Sequence, residues 1–294
     1  MLPLNSKNLT HQNLDHLASR QKIVNDLPDF ESKAKRASAL WDSKSASRFG
    51  EIRQVLKEMC VGMEICVYCE NNEATDVEHI YPKKLYPEKT FRWENYVLAC
   101  GKCNSHHKSD KFRIFVGKNS PAFQDITPPR GTYTQPANDD ALFINQRNED
   151  PMDFLELDLL NRTFVFVERS QEGSREYNRA SFTKNLLGLN TRAALVMARK
   201  SAAVFFVSRL ESYVKAKKSN TMQELKDAVN DDLGSINSAA AFNQEKQRII
   251  DSIKADIESN AHPTVWRELI RQRANLPKTN GLLTDAPEAT AWLS

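Results

Sequence analysis

Two Cys-x-x-Cys pairs, Cys66/Cys69 and Cys100/Cys103, constrain this chain of 294 residues more tightly than anything else in its sequence. Each pair presents two sulfurs from one tight turn, and two such knuckles close a tetrahedral Zn(Cys)4 site with no open coordination position. A metal held this way builds structure and does not react. Four of the five cysteines stand in close pairs, which suits a reducing compartment and a metal better than a disulfide framework. The fifth, Cys60, sits in the run VLKEMCVGMEI and reads as a buried free thiol.

Between the knuckles lies Val77-Glu78-His79-Ile80, with Pro82 behind it. The pattern predicts an extended segment over 76–80 that Pro82 ends, a second short strand at Tyr96-Val97-Leu98-Ala99, and a helix from Cys103 to Phe112. Neighbouring side chains on a regular strand point to opposite faces, so Glu78 and His79 converge only if the strand bends or ends there.

The remaining sequence divides by pattern. Residues 1–64 read as a helical region, with Asp29 and Ser47 as helix caps, and 65–118 hold the motif core. An irregular connector rich in proline follows over 119–150. Residues 151–275 carry a β-hairpin, FLELDLLNRTFVFVE turning about Leu160-Asn161-Arg162, and then helices. The tail over 276–294, with Pro277, Gly281 and Pro287, is expected to be partly disordered. The fold class expected is α+β and mostly helical: a small zinc-stapled core with helical additions on both sides.

Hydrophobic content of 40% and charged content of 27% are ordinary for a soluble protein. No stretch approaches the roughly 20 consecutive apolar residues of a membrane span, and the first residues lack a basic segment leading an apolar run, so a cytoplasmic address is expected. The net charge of +3 is too small to argue for nucleic acid alone. Between Asn190 and Lys218, however, Arg192, Arg199, Lys200, Arg209, Lys215, Lys217 and Lys218 oppose only Glu211, and that helix reads either as a phosphate-facing surface or as a solvated face. The core itself carries little excess charge, which the formal double negative charge of Zn(Cys)4 cancels, so affinity for a polyanion has to come from elsewhere in the chain or from a partner.

The texts CVYCENNEATDVEHIYP and RWENYVLACGKCNSHHK together resemble the HNH endonucleases, whose ββα-metal core runs knuckle, carboxylate-histidine strand, loop asparagine, second knuckle and helix. The resemblance implies His79 as general base, Asn95 as the residue orienting its imidazole, Glu78 and Asn104 as ligands of a catalytic Mg2+ or Mn2+, and Lys108 near a substrate phosphate. His107 is a further nitrogen donor in reach of such a metal, with solvated helix surface as its other reading. Many family members carry Asp at the position of Glu78 and His at that of Asn104. Oxygen ligands alone favour Mg2+ over a softer ion. The chemistry is coherent, because hydrolysis needs a water deprotonated near neutral pH and a divalent cation for the developing charge.

Outside the core, the Trp93-Glu94-Asn95 segment, Asn148 to Pro151 ahead of the hairpin, and Leu187 to Asn190 are similar to the Septu-type and retron-linked HNH nucleases of antiphage systems. That likeness implies a nucleic-acid substrate, an ABC-type ATPase partner, and in some systems a retron reverse transcriptase with its nucleic acid. The competing expectation is a zinc-ribbon adaptor that binds nucleic acid or protein without chemistry.

Overall fold

Thr10, Asp29 and Ser45 each accept a hydrogen bond on a side-chain oxygen from the backbone N–H three residues on, and a helix starts at each. They open α1 (His11–Asn25), α2 (Phe30–Asp42) and α3 (Ala46–Glu58). Asp29 is thus the cap its sequence suggests, whereas α3 is capped by Ser45 and not by Ser47. Leu17 and Val24, then Ala34, Ala37, Leu40 and Trp41, then Phe49, Ile52 and Leu56 form the buried sides of the three helices.

This computed structural model describes residues 1–71, 73–229 and 236–293. The chain divides into two compact units, Met1–Glu156 with Val165–Leu195, and Leu157–Phe164 with Val196–Ser294. Most of the described residues that are regular are helical, and the strands are short antiparallel pairs.

In the first unit, β1 (Asp76–His79) pairs with β2 (Tyr96–Ala99) in the register Asp76↔Ala99 to His79↔Tyr96. All four residues of β2 are fully buried, which explains a run with no polar alternation. The segment after the second knuckle winds as a wide π-type helix over Lys102–Lys108, shorter than the helix expected to reach Phe112. It closes through the Ser109 N–H on the Asn104 carbonyl, and Ser109 turns left-handed at φ 47°. Next come β3 (Arg113–Phe115), paired with β4 (Phe123–Asp125), and β5 (Leu155–Leu157), paired with β6 (Phe166–Glu168) as the expected hairpin. The segment 119–150, expected as an irregular connector, contains β4 and is not loose beyond it: Leu142, Phe143 and Ile144 are buried, and Gln146 donates to the carbonyls of Leu2 and Val67. Ser174 caps α4 (Arg175–Leu186).

The second unit is built on α5 (Ala193–Lys218), α6 (Met222–Val229), α7 (Phe242–Glu258), α8 (Pro263–Arg271) and α9 (Pro277–Asp285). Its core includes Phe206, Trp266 and Trp292. The tail is ordered in helices where its composition suggested partial disorder. Pro277 and Pro287 occupy first-turn positions, where a missing N–H costs nothing, and Trp292 stacks on Trp266 at 6.0 Å. Most of the basic residues of α5 are engaged, with Lys200 left exposed. Arg199 is buried on the Phe164 carbonyl, Arg209 pairs with Asp256, Lys215 with Glu211, Lys217 with Glu288 and Lys218 with Asp285.

Candidate active site

The four cysteines meet. Cys66, Cys69, Cys100 and Cys103 are buried, with all their sulfurs within 4.8 Å of one another. A tetrahedron with Zn–S bonds of about 2.3 Å has an edge of about 3.8 Å, and the Cys69 and Cys100 sulfurs lie 3.9 Å apart. The first knuckle is closed by Glu70, left-handed at φ 55°, whose N–H returns to the Cys66 carbonyl. In the second, the Cys103 N–H donates to the Cys100 sulfur at 3.4 Å. Burial holds the Cys66 thiol well above its ordinary range, while the Cys103 side chain, hydrogen-bonded to Cys100, draws that thiol far below it. Sulfurs this close cannot all ionise beside one another without a cation between them. The Arg192 guanidinium donates to the Cys103 sulfur at 3.3 Å, a charge suited to a thiolate. This donor set fits Zn2+.

The strand between the knuckles ends at His79, and a cleft of about 300 Å³ lies there. It is lined by Glu78, His79, Asn104, Trp41, Asp42, Lys83 and Asp110, among others. Three of the four residues expected to carry chemistry, Glu78, His79 and Asn104, therefore line one cavity, and Asn95 does not. Their side chains take different partners, as alternation along a strand requires: Glu78 meets Lys108, and His79 meets the Thr90 carbonyl.

His79 is 6% exposed. Its Nε2 lies 2.9 Å from the Thr90 carbonyl, which only accepts, so Nε2 carries the hydrogen and Nδ1 is the ring's proton acceptor. The Tyr96 hydroxyl donates to the same carbonyl at 2.7 Å. Trp41 meets the imidazole edge-on, ring centres 4.1 Å apart, and Tyr96 flanks it at 5.3 Å. Burial, followed by the charge of Lys83, lowers the imidazole pKa to about 3, so the ring is neutral at physiological pH.

Asn95 does not touch that ring. Its Oδ1 accepts from the Tyr81 N–H at 2.7 Å, and its Nδ2 donates to the carbonyls of Tyr81 and Lys89. The side chain ties the segment after β1 to the segment before β2, and one of its partners, the Lys89 carbonyl, directly precedes Thr90. A backbone carbonyl leaves no mark in a sequence, so Thr90 was not legible there.

Glu78 is 4% exposed, and the Lys108 ammonium stands 2.7 Å from its carboxylate. Lys108 is fully buried, donates also to the His79 carbonyl at 2.7 Å, and lies over the Phe143 ring. Burial raises the Glu78 pKa, and Lys108 opposes that rise. The lysine is therefore an internal counter-ion and does not extend toward a substrate phosphate. Asn104 donates through Nδ2 to Asp76 Oδ2 at 3.0 Å, which leaves its Oδ1 as an acceptor. Asp76, at the start of β1, thus fixes the orientation of this amide, and only the common motif stretch hinted at it. Glu78 and Asn104 both line the cleft, and oxygen donors of their kind suit Mg2+ or Mn2+. His107 lies elsewhere. It packs against Gly188, where an added Cβ would come within 2.9 Å of its ring, and it is not among the cleft residues.

No helix among the described residues is long and apolar enough to cross a membrane. No curated protein and no solved structure matches the chain significantly. Residues 66–110, the stretch that holds both knuckles, β1, β2 and the helix of Asn104, match the family model of the HNH endonucleases.

Proposed function

We propose that the cleft at the end of β1 hydrolyses phosphodiester bonds in nucleic acid with the help of a divalent cation. The observation that carries this reading is the convergence of Glu78, His79 and Asn104 on one cavity beside the four-cysteine cluster. His79 acts as general base: with its Nε2 proton held by the Thr90 carbonyl, it offers Nδ1 to a water. Trp41 and Tyr96 hold the plane of the ring and keep bulk water from it. Glu78 and Asn104 would hold Mg2+ or Mn2+, which when bound supplies charge neutralisation for the departing oxygen. Lys108 holds Glu78 ionised in a buried position, and Asp76 turns the Asn104 oxygen outward. The cysteine cluster, with zinc, pins β1 and β2 to the helix that bears Asn104.

The test is incubation of the purified protein with plasmid DNA and with tRNA, with and without Mg2+ or Mn2+. Cutting that needs the divalent ion, and that His79→Ala abolishes while zinc content stays at one per chain, is the expected result. Equal cutting by the variant removes His79 from the chemistry.

The finer reading is that this nuclease serves as the effector of an antiphage complex with an ABC-type ATPase. It rests on the likeness of three outer segments, which are framework here: Leu187 and Leu189 are buried, and the Asn190 side chain clasps both backbone groups of Phe166. Neutralised cations on α5 support dependence on a partner for affinity. Co-purification with an ATPase encoded beside this chain, and cutting that changes when it is present, is the outcome that reading requires.

A further inference from the structure

Four lysines stand close to the catalytic imidazole or its cleft, and three are occupied. Lys44 donates to the Trp41 carbonyl and lies over the indole ring. Lys84 pairs with Asp110 at 2.6 Å. Lys108 is sealed against Glu78. Lys83 lines the cleft, and among the described residues no hydrogen bond or ion pair falls on its ammonium.

Its backbone is nevertheless well fixed. Pro82 ends β1, and its carbonyl accepts the N–H groups of both Leu85 and Tyr86 at 3.0 and 2.9 Å, so Lys83 sits in a closed turn directly after the catalytic strand. Lys83 is close enough to Glu78 and His79 for its charge to act on both. A half-buried ammonium at the cleft with no carboxylate drawn to it keeps its charge available to an entering anion, and an ammonium on a flexible stem is a good point-charge ligand for phosphate.

We propose that Lys83, not Lys108, is the side chain that binds a backbone phosphate of the nucleic-acid substrate at the cleft. This rests on the nuclease reading above, and names the phosphate ligand that the buried Lys108 cannot be.

The experiment uses full-length, zinc-loaded protein in two arms. In the first, binding of a fluorescent single-stranded oligonucleotide is followed against salt, without added divalent ion, in His79→Ala and in His79→Ala/Lys83→Gln. Loss of one phosphate contact weakens binding about tenfold and lowers the slope of log affinity against log salt by about 0.7. In the second, cleavage by wild type, Lys83→Gln and Lys83→Arg is resolved into KM and kcat. Lys83→Gln raises KM more than it lowers kcat, and Lys83→Arg recovers most of the loss. Unchanged affinity and an unchanged salt slope on removing Lys83 overturn the proposal, whatever the cleavage arm shows. Absence of cutting by wild type, with the salt slope still reduced in the variant, overturns the nuclease reading and leaves Lys83 as a phosphate contact.

Discussion

The cleft and the helix α5 use the same charged residues to opposite ends. On α5, each of Arg209, Lys215, Lys217 and Lys218 has an acidic partner at the surface, and Arg199 is buried on a carbonyl. At the cleft, one ion pair, Glu78 with Lys108, is almost wholly removed from water, and one neighbouring cation, Lys83, has no ion-pair partner among the described residues. Charge density along the sequence is higher on α5, yet most of it is paired there, with Lys200 the exposed exception. A count of basic residues measures neither burial nor pairing, and those two decide whether a lysine meets a ligand.

The sharpest way to break the contrast is to remove what holds the cleft together. Cys100→Ser should lose zinc and unfold the β1–β2 core, since a structural zinc contributes on the order of 10 kcal/mol, comparable to the whole stability of a domain. Zinc content and circular dichroism check it; a folded, zinc-free variant would show that the cluster does not build the core. Lys108→Met comes next. It strands a buried carboxylate and should cost about 3–5 kcal/mol in urea unfolding, and Lys108→Met combined with Glu78→Gln should recover much of that loss. Equal losses in the single and double variants would mean that the pair is not coupled.

The imidazole predicts a pH effect. The unfolded ring takes a proton near 6.5 and the folded ring only at about 3, so below pH 6.5 the unfolded state binds the extra proton. Stability should therefore drain away as pH falls through that window, by up to about 1.4 kcal/mol per pH unit from this group. The difference in urea midpoint between wild type and His79→Ala, followed from pH 7 to pH 5 with zinc present, should narrow accordingly. A difference that does not depend on pH contradicts the burial of a neutral ring. The smallest effect belongs to α5. Lys217→Gln and Lys218→Gln should each cost less than about 1 kcal/mol and leave the salt dependence of nucleic-acid binding unchanged; a reduced slope would restore α5 as a phosphate surface.

Much of this was legible in the sequence for local reasons. The Cys-x-x-Cys spacing announced the cluster, the run Tyr96-Val97-Leu98-Ala99 and the stop at Pro82 placed β2 and the end of β1, and Asp29 marked its helix. What stayed hidden was non-local. Lys108 looks like a solvated helix residue until Glu78, thirty positions earlier, is brought against it. The partner of the His79 ring is a main-chain carbonyl, and its wall is Trp41 from a helix outside the motif. The tail misled because prolines that start helices look, in a list of residues, like prolines that break them.

The most direct measurement is the protonation state of one ring. A long-range proton–nitrogen NMR correlation of His79 in the zinc-loaded protein at pH 7 should show a neutral imidazole with its hydrogen on Nε2 and a bare Nδ1. A doubly protonated ring, or one with the hydrogen on Nδ1, would contradict the assignment of His79 as the base that activates water.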